Sequence, residues 1–312
     1  MMLTLGIDTS NYTTSVALYN GKEVFQNKLL LPVKEGEKGL RQSDAVFHHT
    51  VRLYPVFEEL ISQHKGEISA VGVSEKPRDS QGSYMPCFLV GVNAAHCVAS
   101  AIGKRVHGFS HQAGHIAAAL YSVGKLELIS RKFIAFHVSG GTTEMLLVSP
   151  DKDRGFSVEI IGETKDLNCG QAIDRAGVMM GIGFPCGKEL EKLALNSTET
   201  YNPKICVKDG NCSLSGVENQ CRKMLENGES KENIARYCLD FAGKTVEKMT
   251  EYAVSQYGEL PLVYAGGVMS NSIIRNRITS KFNAYFAHPD FSCDNAAGVA
   301  VLAYLKGDGL LG

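Results

Sequence analysis

The chain has 312 residues, of which 44% are apolar and 21% charged, and its formal net charge is −1. That is the make-up of an ordinary globular protein, long enough for two packed domains or one large one. No global basic field announces a nucleic-acid partner, although net charge hides local asymmetry, and no apolar run approaches the roughly 20 residues of a membrane span.

The N-terminal stretch MMLTLGIDTS reads as a strand running into a loop. It lacks a basic leader region, so no signal peptide is expected. A second strand is expected at 15–19, a hairpin turn at Asn20-Gly21 and a third strand from Glu23. Apolar residues at helical spacing mark 42–63, a strand follows at 70–74, and the polar stretch 75–86 leads into an apolar helix at 88–102. The pattern then restarts. Strands are expected at 133–138, 144–148 and 157–161, with SGGTT as the first turn and 150–155 as a hairpin loop. Helices follow at 168–181 and 187–196. The polar, cysteine-bearing stretch 197–220 reads as an insertion or irregular loop. A long helix spans 231–257, a short buried strand 262–265 ends in Gly266-Gly267, and a last helix occupies 295–306. Two similar α/β halves, each with a polar turn between its first two strands, imply a duplicated architecture with a nucleotide crevice.

The nine cysteines are odd in number and form no CxxC pair, so a reduced, cytoplasmic chain is expected. Cys206, Cys212 and Cys221 cluster, but their spacing is wrong for a standard zinc knuckle. The strongest chemical signal is HQAGH. His111 and His115 stand four residues apart on an expected helix, so both imidazoles share one face and can grip one metal ion. Shortly after comes HVSGGTTEMLLV, whose paired glycines let backbone N–H groups approach phosphate oxygens. Together they point to metal-assisted group transfer that uses a nucleotide.

GIDTSNYTTSVAL, HQAGH, VSGGTTE, GETKDLNCGQAIDRAGVMMGIGFPCGKELEKLA, SLSG, AGGVMSN and CDNAAGVA occur in that order along nearly the whole chain. In this the chain resembles the tRNA threonylcarbamoyltransferase family, whose members were once described as O-sialoglycoprotein endopeptidases. The resemblance implies an actin-like ATPase (ASKHA) fold, with two duplicated ribonuclease-H-like subdomains around a nucleotide cleft. Their boundaries would be 1–130, with the metal-ligand helix, and 131–312, with the nucleotide turns and a last helix able to pack back on the first. It implies transfer of a threonylcarbamoyl group from its adenylate to N6 of adenosine 37 in tRNA. By the same resemblance His111, His115 and Asp294 are ligands of one divalent ion, iron or zinc. Val138, Ser139, Gly140, Gly141 and Thr142 form the phosphate-side turn, and Asp174, Gly187, Glu191 and Asn271 are nucleotide contacts. Asp8 is the catalytic carboxylate of the first turn. ATP or an acyl-adenylate, with or without magnesium, would be bound. The partners would be tRNA and either accessory subunits of a threonylcarbamoylation complex or a second copy of the chain, with no membrane.

The chain also departs from the family pattern. Asn11, Tyr12 and Thr13 stand where a cysteine and two acidic residues are usual. KPRDSQGSYMP, with Arg78, Asp79 and Tyr84, replaces a glycine-rich GPG-x-x-G loop. Pro185-Cys186-Gly187 replaces Pro-Gly-Gly, and Glu218 replaces a lysine. Two alternatives follow: a paralogous carbamoyl-type transferase with another acceptor, or a non-catalytic nucleotide-binding subunit. A protease is disfavoured, because Gln112 stands where an H-E-x-x-H helix would place its glutamate base. A sugar or acetate kinase of the same fold would not need the histidine pair.

Overall fold

A computed structural model describes residues 2–10, 12–32, 40–152, 154–292 and 295–307. The chain forms two compact units. One comprises the chain up to Arg131, Ser149–Val158 and the chain from Asp290; the other comprises Lys132–Val148 and Glu159–Pro289. The contiguous stretch 131–312 is therefore not one unit, because the tip of a hairpin and the last helix belong with the first sheet.

In the first unit β1 (Met2–Asp8), β2 (Thr13–Tyr19) and β3 (Val24–Leu30) lead through α1 (Gln42–Gln63) to β4 (Glu67–Lys76), and α2 (Phe88–Ile102) leads to β5 (Val106–Ser110). The sheet order is β3-β2-β1-β4-β5. β1 and β2 pair antiparallel, as do β2 and β3, while β4 lies parallel to β1 and β5 parallel to β4. Each parallel step needs a crossover, and α1 and α2 supply them. From β5 the chain enters α3 (His111–Ser122) directly. Both faces of the sheet are covered, so β1 and β2 are almost wholly buried and read as near-continuous apolar runs. Leu5, Ile7, Val16, Leu18 and Val71 are fully buried between them.

The last helix, α9 (Ala297–Gly307), crosses this sheet. Gly6 and Gly72 are register partners on β1 and β4. A Cβ on Gly6 would lie 2.4 Å from the Ala296 carbonyl oxygen, and one on Gly72 would lie 2.2 Å from that of Val299. The paired glycines form a trough that admits the helix backbone. Gly298 does the same toward α3, where a Cβ would meet the Gly114 carbonyl oxygen at 1.8 Å.

The second unit repeats the topology. β6 (Phe133–Val138), β7 (Thr143–Asp151) and β8 (Gly155–Glu163) are followed by α4 (Cys169–Met179), α5 (Gly187–Leu195), β9 (Cys206–Lys208), β10 (Asn211–Ser213), α6 (Gly216–Glu226) and α7 (Lys231–Tyr257). β11 (Leu262–Ala265), α8 (Ser272–Thr279) and β12 (Ala284–Phe286) complete it. The sheet order β8-β7-β6-β11-β12 matches that of the first unit strand for strand. Three rings stack across its parallel strands, Tyr264 lying 4.6 Å from Phe136 and 4.9 Å from Phe286.

The stretch 197–220 is more regular than its polarity suggests. β9 and β10 form a hairpin, and α6 starts at Gly216. The turn is Asp209-Gly210, with φ of 50° and 78°. Positive φ at both central residues is the signature of an Asp-Gly hairpin turn. Cys206, Cys212 and Cys221 are free thiols, and among the described residues they join no set of three His, Cys, Asp or Glu able to hold a metal.

Candidate active site

In the first unit the site starts from the end of β1. Asp8 is 1% exposed, which alone disfavours a charge. Its oxygens are nonetheless fully engaged. The Ser10 N–H donates to Oδ1 at 2.8 Å, and the hydroxyls of Ser10 and Ser74 donate to Oδ1 and Oδ2. His111 Nδ1 lies 2.9 Å from Oδ2. Burial pushes the Asp8 carboxyl up, but the charge of His111 and the hydrogen bonds from His111, Ser10 and Ser74 outweigh it and hold it below the usual carboxylate range.

Ser74 reaches Asp8 because each follows a β1–β4 register pair, Ile7↔Val73, and just beyond Ser74 β4 becomes irregular. The β4–β5 register steps from Ser74↔Phe109 to Lys76↔Ser110, leaving Glu75 as a bulge. Bulges of this kind re-aim side chains beside functional sites. The Glu75 carboxylate lies against Gly108, where a Cβ would come within 2.1 Å of Oε2.

With Nδ1 of His111 held by Asp8, Nε2 turns toward His115, and the two Nε2 atoms are 2.9 Å apart. Two ligands of one ion, each at about 2.0–2.1 Å, can span that separation. A carboxylate behind one imidazole is the usual support of a metal-bound histidine, since it fixes the tautomer and raises basicity. The pair therefore fits a metal. Asp294, the third expected ligand, lies outside the described residues. Among the described residues no three His, Cys, Asp or Glu side chains converge as a metal set. On the near side of Asp294, the Ala296 N–H donates to Ser15 Oγ at 2.9 Å, and Ser15 is the cross-strand partner of Asp8.

The altered loop after β4 is fastened to the histidine helix. The Gln112 N–H donates to the Pro77 carbonyl at 3.1 Å, and the Ser110 hydroxyl donates to Asp79 Oδ2 at 3.0 Å. Ser110 Oγ in turn accepts from the Ala113 N–H at 3.1 Å, capping α3. Tyr84 is exposed, as is Tyr12, while Thr13 is buried in β2.

In the second unit Val138, Ser139, Gly140, Gly141 and Thr142 form the turn between β6 and β7. Ser139 Oγ accepts from the N–H groups of Gly141 and Thr142 at 3.2 and 3.1 Å. The start of α4 abuts the turn, the Gly170 N–H donating to the Ser139 carbonyl at 3.0 Å. The positive end of a helix dipole thus faces it. A Cβ on Gly140, Gly141, Gly187 or Gly267 would meet nothing within 4 Å. Their glycines are demanded neither by internal packing nor by positive φ, unlike Gly266, which has φ of 97° and backs onto Val138.

The other expected contacts are linked in a chain. Asp174 Oδ1 accepts from the Cys186 N–H at 2.8 Å, beside Gly187, and burial raises its carboxyl. Glu191 Oε1 accepts from both the N–H and the hydroxyl of Ser272 at 2.6 Å, binding α5 to the start of α8. Asn271 caps α8, its Oδ1 accepting from Ile273 and Ile274 at 3.1 and 3.2 Å. Glu218, the lysine replacement, pairs with Arg175 at 3.2 Å and Arg222 at 3.0 Å. Of the supporting residues, Ser10 lies within the first motif and Asp79 within the departing loop, whereas Ser74 and Ser110 belong to no motif. The only hint of Ser74 and Ser110 is their place at the ends of β4 and β5.

Residues 33–301 match the sequence pattern of the tRNA N6-adenosine threonylcarbamoyltransferase family. The enzyme of that name from Thermosipho africanus is 30% identical over 97% of this chain and 94% of its own length. Its counterpart from Staphylococcus aureus strain Newman is also 30% identical, over 97% and 91%. Among solved structures, component A of the Acidaminococcus fermentans (R)-2-hydroxyglutaryl-CoA dehydratase superposes with a TM-score of 0.55 at 14% identity, covering 99% of this chain and 100% of that one. The ROK hexokinase of Thermus thermophilus superposes at 0.53 and 15%, covering 99% and 100%. These structures establish the actin-like ATPase fold.

Proposed function

This chain belongs to the tRNA N6-adenosine threonylcarbamoyltransferase family, and we propose that it is the transferase that moves a threonylcarbamoyl group from its adenylate to N6 of adenosine 37 in tRNA. The observation that carries this reading is the convergence of His111 and His115 Nε2 at 2.9 Å with Asp8 seated behind His111. His111, His115 and Asp294 would hold one divalent ion, iron or zinc, which when bound would supply Lewis-acid polarisation of the carbamoyl carbonyl or a hold on the adenylate. Asp8, the first-turn carboxylate, would hold the His111 imidazole in place for the ion. The Gly140 amide, and that of Gly141 on release from Ser139 Oγ, would receive phosphate oxygens. Asp174 would accept from ribose hydroxyls, with Glu191 and Asn271 bordering the nucleoside. The attacking exocyclic amine is neutral and a poor nucleophile, so positioning supplies much of the rate.

A second reading, a carbamoyl-type transferase with another acceptor, is supported by the loop after β4. Arg78, Asp79 and Tyr84 stand where the family pattern has small residues; Pro77 and Asp79 are bonded to α3 and its N-cap, and Tyr84 is 62% exposed. A partner, either an accessory subunit or a second copy of the chain, is supported by Phe47, Val51 and Tyr54. They lie on one side of α1 with exposures of 63%, 57% and 66%. Among the described residues no helix is long and apolar enough to cross a membrane.

The test is a transfer assay with threonylcarbamoyl-adenylate and unmodified tRNA, with and without partner fractions, read by mass spectrometry of digested nucleosides. Modified adenosine is the expected result. Adenylate consumed without a tRNA product would move the conclusion to another acceptor, and untouched adenylate would leave only a binding role.

A further inference from the structure

We propose that Asp79, on the loop that departs from the family pattern, is a positioning residue of the histidine pair; the inference rests on the metal reading of that pair. Asp79 touches neither histidine. Its Oδ2 takes the proton of Ser110 at 3.0 Å, and Ser110 is 1% exposed and immediately precedes His111.

A hydroxyl has one proton and two acceptor sites. With its proton committed to Asp79, Ser110 Oγ presents lone pairs alone to the first turn of α3, where the Ala113 N–H donates to it at 3.1 Å. Without Asp79 the hydroxyl is free to rotate and loses that commitment. The neighbouring Gln112 N–H is fixed by the same loop, through the Pro77 carbonyl at 3.1 Å. The two successive amides that follow His111 are therefore oriented by residues 77–79, one directly and one through Ser110.

The opposite side of His111 is held by a different set. Its Nδ1 meets Asp8, itself braced by Ser10 and Ser74. The β4 bulge links the two holds, because Ser74 lies before it and the loop to Asp79 begins after it. The imidazole is clamped at its ring by Asp8 and at its backbone by Asp79. Metal affinity depends on such support, and the loss of an outer-shell partner costs about 10- to 100-fold. A residue that acts through the backbone belongs at the low end.

The second oxygen of Asp79 lies 3.5 Å from Lys76 Nζ, which also pairs with Glu75 at 3.3 Å. Glu75 thus shares the ion pair but not the contact with Ser110, which makes Glu75→Gln the internal control.

Cobalt(II) titration of metal-stripped protein tests the proposal. Its visible absorption reports ligand geometry, and amide hydrogen exchange at Ala113 reports the start of α3. Asp79→Ala is expected to raise the cobalt Kd about tenfold, to change the absorption band and to speed Ala113 exchange. Asp79→Glu should restore part of both effects, and Asp79→Ala combined with Ser110→Ala should be no worse than Ser110→Ala alone. An unchanged Kd in Asp79→Ala, or an equal loss in Glu75→Gln, would overturn the proposal while leaving the metal reading intact. Wild-type protein that took up no cobalt would overturn the metal reading and the proposal together.

Discussion

At the residue scale Asn271 carries two duties that a single substitution confuses. It caps α8 through two N–H groups, so Asn271→Ala costs about 1 kcal/mol whatever else it does. Serine keeps a capping oxygen but not the amide. Asn271→Ser is therefore expected to leave the melting temperature without nucleotide nearly unchanged and to shrink its rise with ADP. An undiminished rise would remove Asn271 from the nucleotide site. Asp166 offers a second check. Burial pushes its carboxyl up, but the Ser215 hydroxyl and the N–H groups of Leu214, Leu167 and Ser215 outweigh this and hold it below the usual carboxylate range. Its contribution is present above the unfolded carboxylate pKa of about 3.9 and is lost as pH falls through the lower folded value. Urea unfolding should show wild type more stable than Asp166→Asn at pH 7, by no more than about 1 kcal/mol for so exposed a group. That gap should close in acid. The histidine pair was legible in the sequence because four-residue spacing is a local property of helices. The place of Asp8 behind His111 was not, because it depends on a contact across 103 positions.

At the element scale α9 touches the histidine helix through glycine. Gly298→Ala would drive a Cβ into the Gly114 carbonyl, and overpacking of that kind typically costs about 1–3 kcal/mol. We expect a lower melting temperature and weaker metal uptake, since α3 must shift to accommodate the methyl group. Unaltered uptake with a lowered melting temperature would mean that α9, not α3, gives way. Length and helical spacing made α1 and α7 legible nearly to the residue. The hairpin β9–β10 was missed although its Asp209-Gly210 turn stood in the sequence. Each of its strands has only three residues, too few to show alternation. The Glu75 bulge leaves no local signature at all, being a property of two strands together.

At the scale of the whole molecule the doubling of strand order was legible from the repeated strand–turn–strand pattern, but the place of the hairpin tip Ser149–Val158 in the first unit was not. The first unit borrows its hairpin tip and its last helix from distant sequence, and borrowing of that kind is tertiary. It has a consequence for how the protein is made. Of these elements β1 is synthesised first and α9 last, so the trough of Gly6 and Gly72 stays uncovered until α9 has emerged. The second unit is complete earlier, once β12 has left the ribosome. A nascent chain halted after residue 289 should therefore yield a protease-resistant fragment from the second unit and none from the first. Protection of both at that length would show that the sheet of the first unit closes without α9. The strand that bears Asp8 is made before the other elements and covered by α9 only after them, so completion of the histidine site waits for α9 to emerge.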